Sequence, residues 1–268
     1  MGGLESVKIL FLILTTVAFV VTAGCVDRAE ERGGSAPPLP VESSTATIES
    51  GDLTYPAYVA SPAPRQDGGD DPTYPGIVMI HSFNGLEPGY RDLADRLAAS
   101  GHVVIAPEWQ TFNRTPRDEV VEELVRTSAA YLVDREDVDG DSLGLTGFCA
   151  GGRYTMLFLP GMEEFRSGVA WYGFPYSGGF NDEARPADLI DGLAAPILII
   201  HGTRDVPSPI SGIYDYSAAL DAAGKYFELK VYQGEGHGFM IASGEREVSF
   251  AARDAEGEMA RFFERTLK

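Results

Sequence analysis

Cys149 stands in the stretch Gly147-Phe148-Cys149-Ala150-Gly151. This is the glycine-flanked pattern that holds a nucleophile on a sharp strand-to-helix turn, with cysteine in the place usually taken by serine. Small residues on either side let strand and helix approach closely. The turn lifts the sulfur above a sheet, and the positive end of the following helix favours thiolate over thiol. A nucleophile of this kind needs a base, and the base needs an orienting acid, which follow such an elbow in the order acid, then histidine. Asp205, in His201-Gly202-Thr203-Arg204-Asp205, and His237, in Gly234-Glu235-Gly236-His237-Gly238-Phe239, have that order. In these roles His237 takes the proton of Cys149 or holds it as an ion pair, and later returns a proton to the leaving group. Asp205 fixes the imidazole tautomer and stabilises the imidazolium. The alternative acid is Glu108. His81 and His201 end predicted strands and read as structural, and His102 opens a strand at the opposite end. No short His/Asp spacing of metal-ligand type is present, so no metal is expected.

These loops require a scaffold. Ile77–Ile80 is a short apolar run of the kind buried in parallel sheets. Tyr90–Ala99 places Leu93, Ala94, Leu97 and Ala98 at helical spacing and stops at Ser100-Gly101. His102–Ala106, Ser142–Thr146, Val169–Tyr172, Ile197–Ile200 and Glu228–Tyr232 read as further strands, and Leu53–Val59 as an early one. Helices are expected over Asp118–Leu132, Arg153–Phe158, Tyr214–Ala223 and Val248–Thr266. Strands alternating with helices predict an α/β fold with a doubly wound, mostly parallel sheet and helices on both faces. Cys149, Asp205 and His237 then all fall in loops at the C-terminal ends of strands, where such sheets place their sites.

The segment Gly144-Leu145-Thr146-Gly147-Phe148-Cys149-Ala150-Gly151-Gly152-Arg153 resembles that of the dienelactone hydrolase family, a cysteine-nucleophile branch of the α/β hydrolases. Trp171-Tyr172-Gly173, Gly202-Thr203-Arg204-Asp205, Gly236-His237-Gly238-Phe239 and His81-Ser82-Phe83-Asn84-Gly85-Leu86 are also similar to family motifs, and the likeness runs from about Asp52 to the end. The resemblance implies an α/β-hydrolase fold and hydrolysis of an ester or lactone through a thioester acyl-enzyme, without a cofactor. It also implies an oxyanion hole built from the backbone N–H groups of Ala150 and Phe83. Two positions depart from the family. Ser82 stands where the family carries a Glu that governs the resting thiol. No Arg stands shortly after His237, where members acting on dienelactone bind the substrate carboxylate; the stretch reads Phe239-Met240-Ile241-Ala242. Arg114 is the candidate to contact a carboxylate instead, with Arg204 as the alternative. Phe83, Trp109, Phe112, Phe174 and Phe239 are candidates to line an apolar pocket, so neutral short-chain esters or lactones are expected as substrates. Two other readings stay open: another acyl bond, thioester or peptide, and a non-catalytic binding protein that kept the fold, which the Ser82 departure would favour.

The chain has 268 residues, 44% of them hydrophobic and 10% aromatic. That content supports a sizeable core and excludes disorder for most of the chain. Asp and Glu number 40 against 21 Lys and Arg, a formal charge of −19, which excludes nucleic acid as a partner because phosphate neutralisation needs a basic face. Only four of the basic residues are lysines, and an acidic, lysine-poor surface suits a salt-rich medium. Two cysteines, Cys25 and Cys149, exclude a disulfide scaffold. Near the start, Lys8 precedes an apolar run, Ile9–Val21, too short to span a bilayer comfortably and followed by Thr22-Ala23-Gly24-Cys25. This reads as a signal peptide ending in a lipobox, with Cys25 lipidated and the protein held on the outer side of the cell membrane. The expected organisation is a signal segment over 1–24, a Pro/Gly/Ser-rich tether over 25–47 and a hydrolase domain over 48–268.

Overall fold

The computed structural model describes residues 37–65 and 72–267. Eight strands form one sheet: β1 (Val41–Ser50), β2 (Leu53–Pro62), β3 (Tyr74–Ile80), β4 (Val103–Pro107), β5 (Val138–Phe148), β6 (Phe165–Trp171), β7 (Ile197–Gly202) and β8 (Phe227–Tyr232). Their spatial order is β1-β2-β4-β3-β5-β6-β7-β8. β1 and β2 pair antiparallel, β2 runs antiparallel to β4, and every pairing from β4 across to β8 is parallel.

The helices are α1 (Pro88–Ala99), α2 (Asp118–Val133), α3 (Ala150–Phe158), α4 (Ile210–Ala222) and α5 (Phe250–Thr266). Side chains alternate across a strand, so a strand covered on both faces must be apolar at every position. β3 does this: Val78 and Ile80 enter one cluster, with residues of α2, α3 and α4, while Ile77 and Met79 enter the other, with residues of α1 and α5. β4 and β7 alternate in the same way. The strand order reverses at β3, whose last residue, Ile80, is in register with Gly147 of β5. The C-terminal ends of these two strands therefore meet at the switch point where an open α/β sheet leaves its crevice.

The structure ends the expected tether early. Val41–Thr47 belongs to β1, which pairs with β2 over its full ten residues, Val41↔Pro62 to Ser50↔Leu53. An antiparallel edge strand is fixed by backbone pairing and needs few buried side chains, so a run of Ser and Thr can form one. A short hairpin, β9 (Ile241–Ala242) and β10 (Glu245–Arg246), is a further element absent from the sequence reading. The helix expected from Val248 begins at Phe250, with the Ser249 hydroxyl accepting the N–H of Ala252 at 3.1 Å as its N-cap. The signal segment and Cys25 lie outside the described residues. Among the described residues no helix is long and apolar enough to cross a membrane.

Candidate active site

β5 ends at Phe148 and α3 starts at Ala150, leaving Cys149 alone on the turn with φ 57° and ψ −112°. A non-glycine residue so placed carries roughly 1–3 kcal/mol of strain and persists only where its surroundings over-determine it. They do so here. The Cys149 N–H donates to Trp171 O at 3.0 Å, and its carbonyl accepts the N–H of Arg153 at 3.0 Å. A Cβ on Gly147 would lie 2.1 Å from Gly151 O, and one on Gly151 would lie 2.0 Å from Ile80 O. Both positions must be glycine for strand and helix to meet at this distance.

Asp205 follows β7 and His237 follows β8, and the two loops converge. His237 Nδ1–H donates to Asp205 Oδ2 at 2.8 Å. Asp205 Oδ1 accepts the N–H of Ser208 at 2.8 Å, and the carboxylate is fully buried. His201 Nε2–H donates to Ser208 O at 2.8 Å and lies 3.4 Å from Asp205 Oδ2, bracing the same turn. Burial opposes a charge on His237, yet its hydrogen bond to Asp205 and its interaction with Cys149 outweigh that, and its pKa is raised from 6.5 to about 9. At neutral pH the imidazole thus carries a proton beside the sulfur. His237 Nε2 is buried with no ordinary hydrogen-bond partner among the described residues, which leaves it free to act on Cys149 and a reacting group. By contrast burial lowers His81 to about 4, so that ring stays neutral; its Nδ1–H donates to Ser82 O at 2.7 Å.

Ala150 opens the first turn of α3, where backbone N–H groups have no acceptor within the helix. Phe83 lies in the turn after β3, closed by Gly85 N–H to Ser82 O at 3.2 Å. Since β3 and β5 are neighbours, these two N–H positions belong to one rim. Aromatic rings surround it: Tyr172 meets His237 edge-on at 5.1 Å, Phe174 lies 5.3 Å from His237, and Phe180 lies 5.0 Å from Phe83.

Phe174 and Phe180 ride on the long connection from β6 to β7, which α3 and α2 hold in place. The buried Arg153 donates to Asp118 through both terminal nitrogens, at 2.9 and 2.7 Å, to Ser177 O at 3.1 Å and to Ala184 O at 2.7 Å. Asp118 in turn lies against Gly179, where a Cβ would come within 2.5 Å of Oδ1. The bidentate fork and two carbonyls satisfy a guanidinium taken out of water.

Of the expected site residues, Cys149, Asp205 and His237 come together; Ala150 adjoins Cys149, and Phe83 lies in the turn after β3, the strand paired with β5. Glu108 instead pairs with Arg91 at 3.6 Å. Arg114 is exposed, with its guanidinium 4.5 Å above the Phe83 ring and no ion pair among the described residues. Trp109 is a core residue, not a pocket wall. It is 1% exposed, its indole N–H donates to His81 O at 3.2 Å, and it packs between His81 and Tyr154. Phe239 is likewise consumed by packing against Trp171, Tyr172 and Tyr232. Phe112 turns away to Tyr55. Phe180 and Ser208 went unnoticed in the sequence: both lie in irregular loops where no periodicity marks a residue's direction.

Residues 56–267 match the model of the dienelactone hydrolase family. An Escherichia coli (strain K12) protein named "Putative carboxymethylenebutenolidase" is 31% identical over 241 residues, covering 84% of this chain and 86% of its own. The crystal structure of a "Putative Dienelactone Hydrolase" from Klebsiella pneumoniae superposes with a TM-score of 0.74 at 27% identity, covering 84% of this chain and 98% of that one. Pyrococcus horikoshii acylaminoacyl peptidase shares the fold at a TM-score of 0.70 and 17% identity, over 85% of this chain and 42% of its own. With the family match spanning most of the chain, and the mostly parallel sheet carrying an elbow cysteine at its switch point, the chain belongs to the dienelactone hydrolase family and is a hydrolase of that type.

Proposed function

We propose that the chain hydrolyses small esters and lactones with Cys149 as nucleophile, His237 as acid and base, and Asp205 as the group that orients His237. The observation that carries this reading is the strained Cys149 beside a His237 whose other nitrogen is bonded to buried Asp205 at 2.8 Å. The Cys149 sulfur attacks the acyl carbon, and the carbonyl oxygen becomes an oxyanion accepting the N–H groups of Ala150 and Phe83. As the tetrahedral adduct collapses, the C–O bond breaks and His237 protonates the leaving alkoxide. For an ester the alcohol departs; for a lactone it stays attached at the far end of the acyl chain. The product is a thioester at Cys149. Neutral His237 then takes a proton from water, the hydroxide adds to the thioester, and collapse returns the thiolate with release of the acid.

Neutral acyl groups suit the rim. Phe83, Phe174 and Phe180 line it, and the residues after His237 supply no cation. A buried substrate carboxylate without a paired cation is costly to desolvate, and the charge of −19 disfavours anions further. Arg114, with no carboxylate partner among the described residues and stacked on Phe83, favours a second reading in which carboxylate-bearing lactones are bound. A panel of neutral and anionic esters and lactones, compared by kcat/KM at one salt concentration, separates the two. The expected result is a preference for neutral substrates that survives Arg114→Met. A preference for anions that Arg114→Met removes would establish the second reading.

The location is also proposed from the sequence: Cys25 is lipidated, and the stretch between it and β1 tethers the domain to the membrane. Stable attachment needs more than one acyl chain. Cys25→Ser is expected to shift the protein from the membrane to the soluble fraction or to block its processing. An unmodified mature N-terminus found elsewhere by mass spectrometry would exclude lipidation at Cys25.

A further inference from the structure

His81 follows β3 and opens the turn that carries Phe83, and its ring bonds back onto that turn. Ser82 O accepts two donors, the His81 Nδ1–H at 2.7 Å and the Gly85 N–H at 3.2 Å. A carbonyl oxygen only accepts, so the His81 proton sits on Nδ1 and the lone pair on Nε2. Nε2 is buried without a hydrogen-bond partner among the described residues. That suits a neutral ring, because a second N–H there would be left unsatisfied.

Ser82 C=O and Phe83 N–H belong to one peptide group. In a trans peptide the two point in opposite directions. Two donors on the oxygen therefore fix where the N–H points: away from the turn, with no acceptor among the described residues. Hydrogen bonding at the oxygen also polarises the N–H at the other end of the group. The His81 ring is itself locked. It is 1% exposed and stacks on Trp109 at 5.3 Å with the planes 19° apart, and the Trp109 indole N–H donates to His81 O at 3.2 Å. Tyr154 of α3 meets Trp109 edge-on at 5.5 Å. The same stretch abuts the elbow, since a Cβ on Gly151 would lie 2.0 Å from Ile80 O and 2.9 Å from His81 O. A continuous brace thus runs from α3, which carries Ala150, through Trp109 and His81 to the peptide that carries the Phe83 N–H.

We propose that His81 is a positioning residue for acyl transfer: through Ser82 O it aims the Phe83 N–H at the oxyanion, alongside that of Ala150. His81 touches no reacting atom and moves no proton. A donor aimed in advance needs no reorganisation as charge develops on the oxygen. The inference rests on the reading above, with Cys149 as nucleophile and Phe83 as an oxyanion donor, and the test keeps the two separate.

Two rates are compared in the full chain. One is kcat/KM for a neutral alkyl ester; the other is iodoacetamide alkylation of Cys149 at pH 7, read by peptide mass spectrometry. Alkylation needs the thiolate but builds no oxyanion. Removing a whole oxyanion donor costs about 10²–10³-fold, so His81→Leu, which leaves the donor present but unbraced, is expected to lower kcat/KM by roughly 10- to 100-fold while alkylation stays within about twofold of wild type. His81→Asn, whose Nδ2–H replaces the lost Nδ1–H at Ser82 O, is expected to recover most of the loss. A folded His81→Leu protein with wild-type kcat/KM, or one whose alkylation falls in step with kcat/KM, would overturn the inference. So would a His81→Asn protein as slow as His81→Leu. Should His81→Leu fail to fold by circular dichroism, Trp109→Phe takes its place. That variant removes the indole N–H from His81 O and is expected to lower kcat/KM several-fold at an unchanged alkylation rate; wild-type kcat/KM there would overturn the inference equally. All of these results leave the nucleophile assignment standing, whereas ester turnover surviving Cys149→Ala would remove the reading on which the inference rests.

Discussion

Cys149→Ala is expected to lower ester turnover by at least ~10³-fold and to leave the free energy of unfolding within about 1 kcal/mol of wild type. The activity effect is large because no second route to the acyl-enzyme exists once the sulfur is gone; the oxyanion donors and the binding surface supply the residual rate. The stability effect is small because Cys149 is only partly buried, and alanine inherits the same backbone contacts to Trp171 and Arg153. Cys149→Ser keeps the shape but also loses most activity, since a hydroxyl needs stronger base assistance than a thiol. Steady-state kinetics of purified protein with alkyl esters reads both. Ordinary hydrolysis by Cys149→Ala would show that the acyl group is carried elsewhere.

Asp205→Asn is expected to produce the second largest loss, roughly 10²–10⁴-fold in turnover. The carboxylate fixes the Nδ1–H tautomer of His237, leaving Nε2 toward the sulfur, and holds the imidazolium. The same variant has a signature in pH. The imidazolium is the form that protonates the leaving alkoxide, and it is lost as pH rises through its pKa. With His237 raised to about 9, kcat/KM for an alkyl ester declines above about pH 9 in the wild type. Without the Asp205 charge, that alkaline limb moves down toward 6.5, the ordinary value for histidine. A limb that stays in place in Asp205→Asn, or a loss of only a few-fold, would move the orienting role to another residue.

The fold was largely legible because both faces of the central strands are covered, so β3, β4 and the Ile197–Ile200 run of β7 are apolar at every position, and the glycines of the elbow have no other economical explanation. Cys149, Asp205 and His237 could be singled out as candidates because each follows a recognisable strand in the order such a site requires. What the sequence concealed has physical causes. β1 reads as tether because an edge strand is stabilised by backbone pairing to β2, and Ser43, Ser44 and Thr45 carry no periodic apolar signal. Trp109 reads as pocket wall because a residue just after a strand can turn either way; its indole N–H found the His81 carbonyl and turned inward. Phe180 is invisible because its position depends on Arg153 and Asp118, which join α3 and α2 across 35 residues of sequence.

The nucleophile is tested most directly by acid-quenching the enzyme during turnover of a neutral ester and mapping the acyl group by peptide mass spectrometry. The expected result is one acyl group on the peptide carrying Cys149, released by neutral hydroxylamine as a thioester should be and absent from Cys149→Ala. An acyl group on a serine, or none on Cys149 at any quench time while product accumulates, would contradict a thioester route.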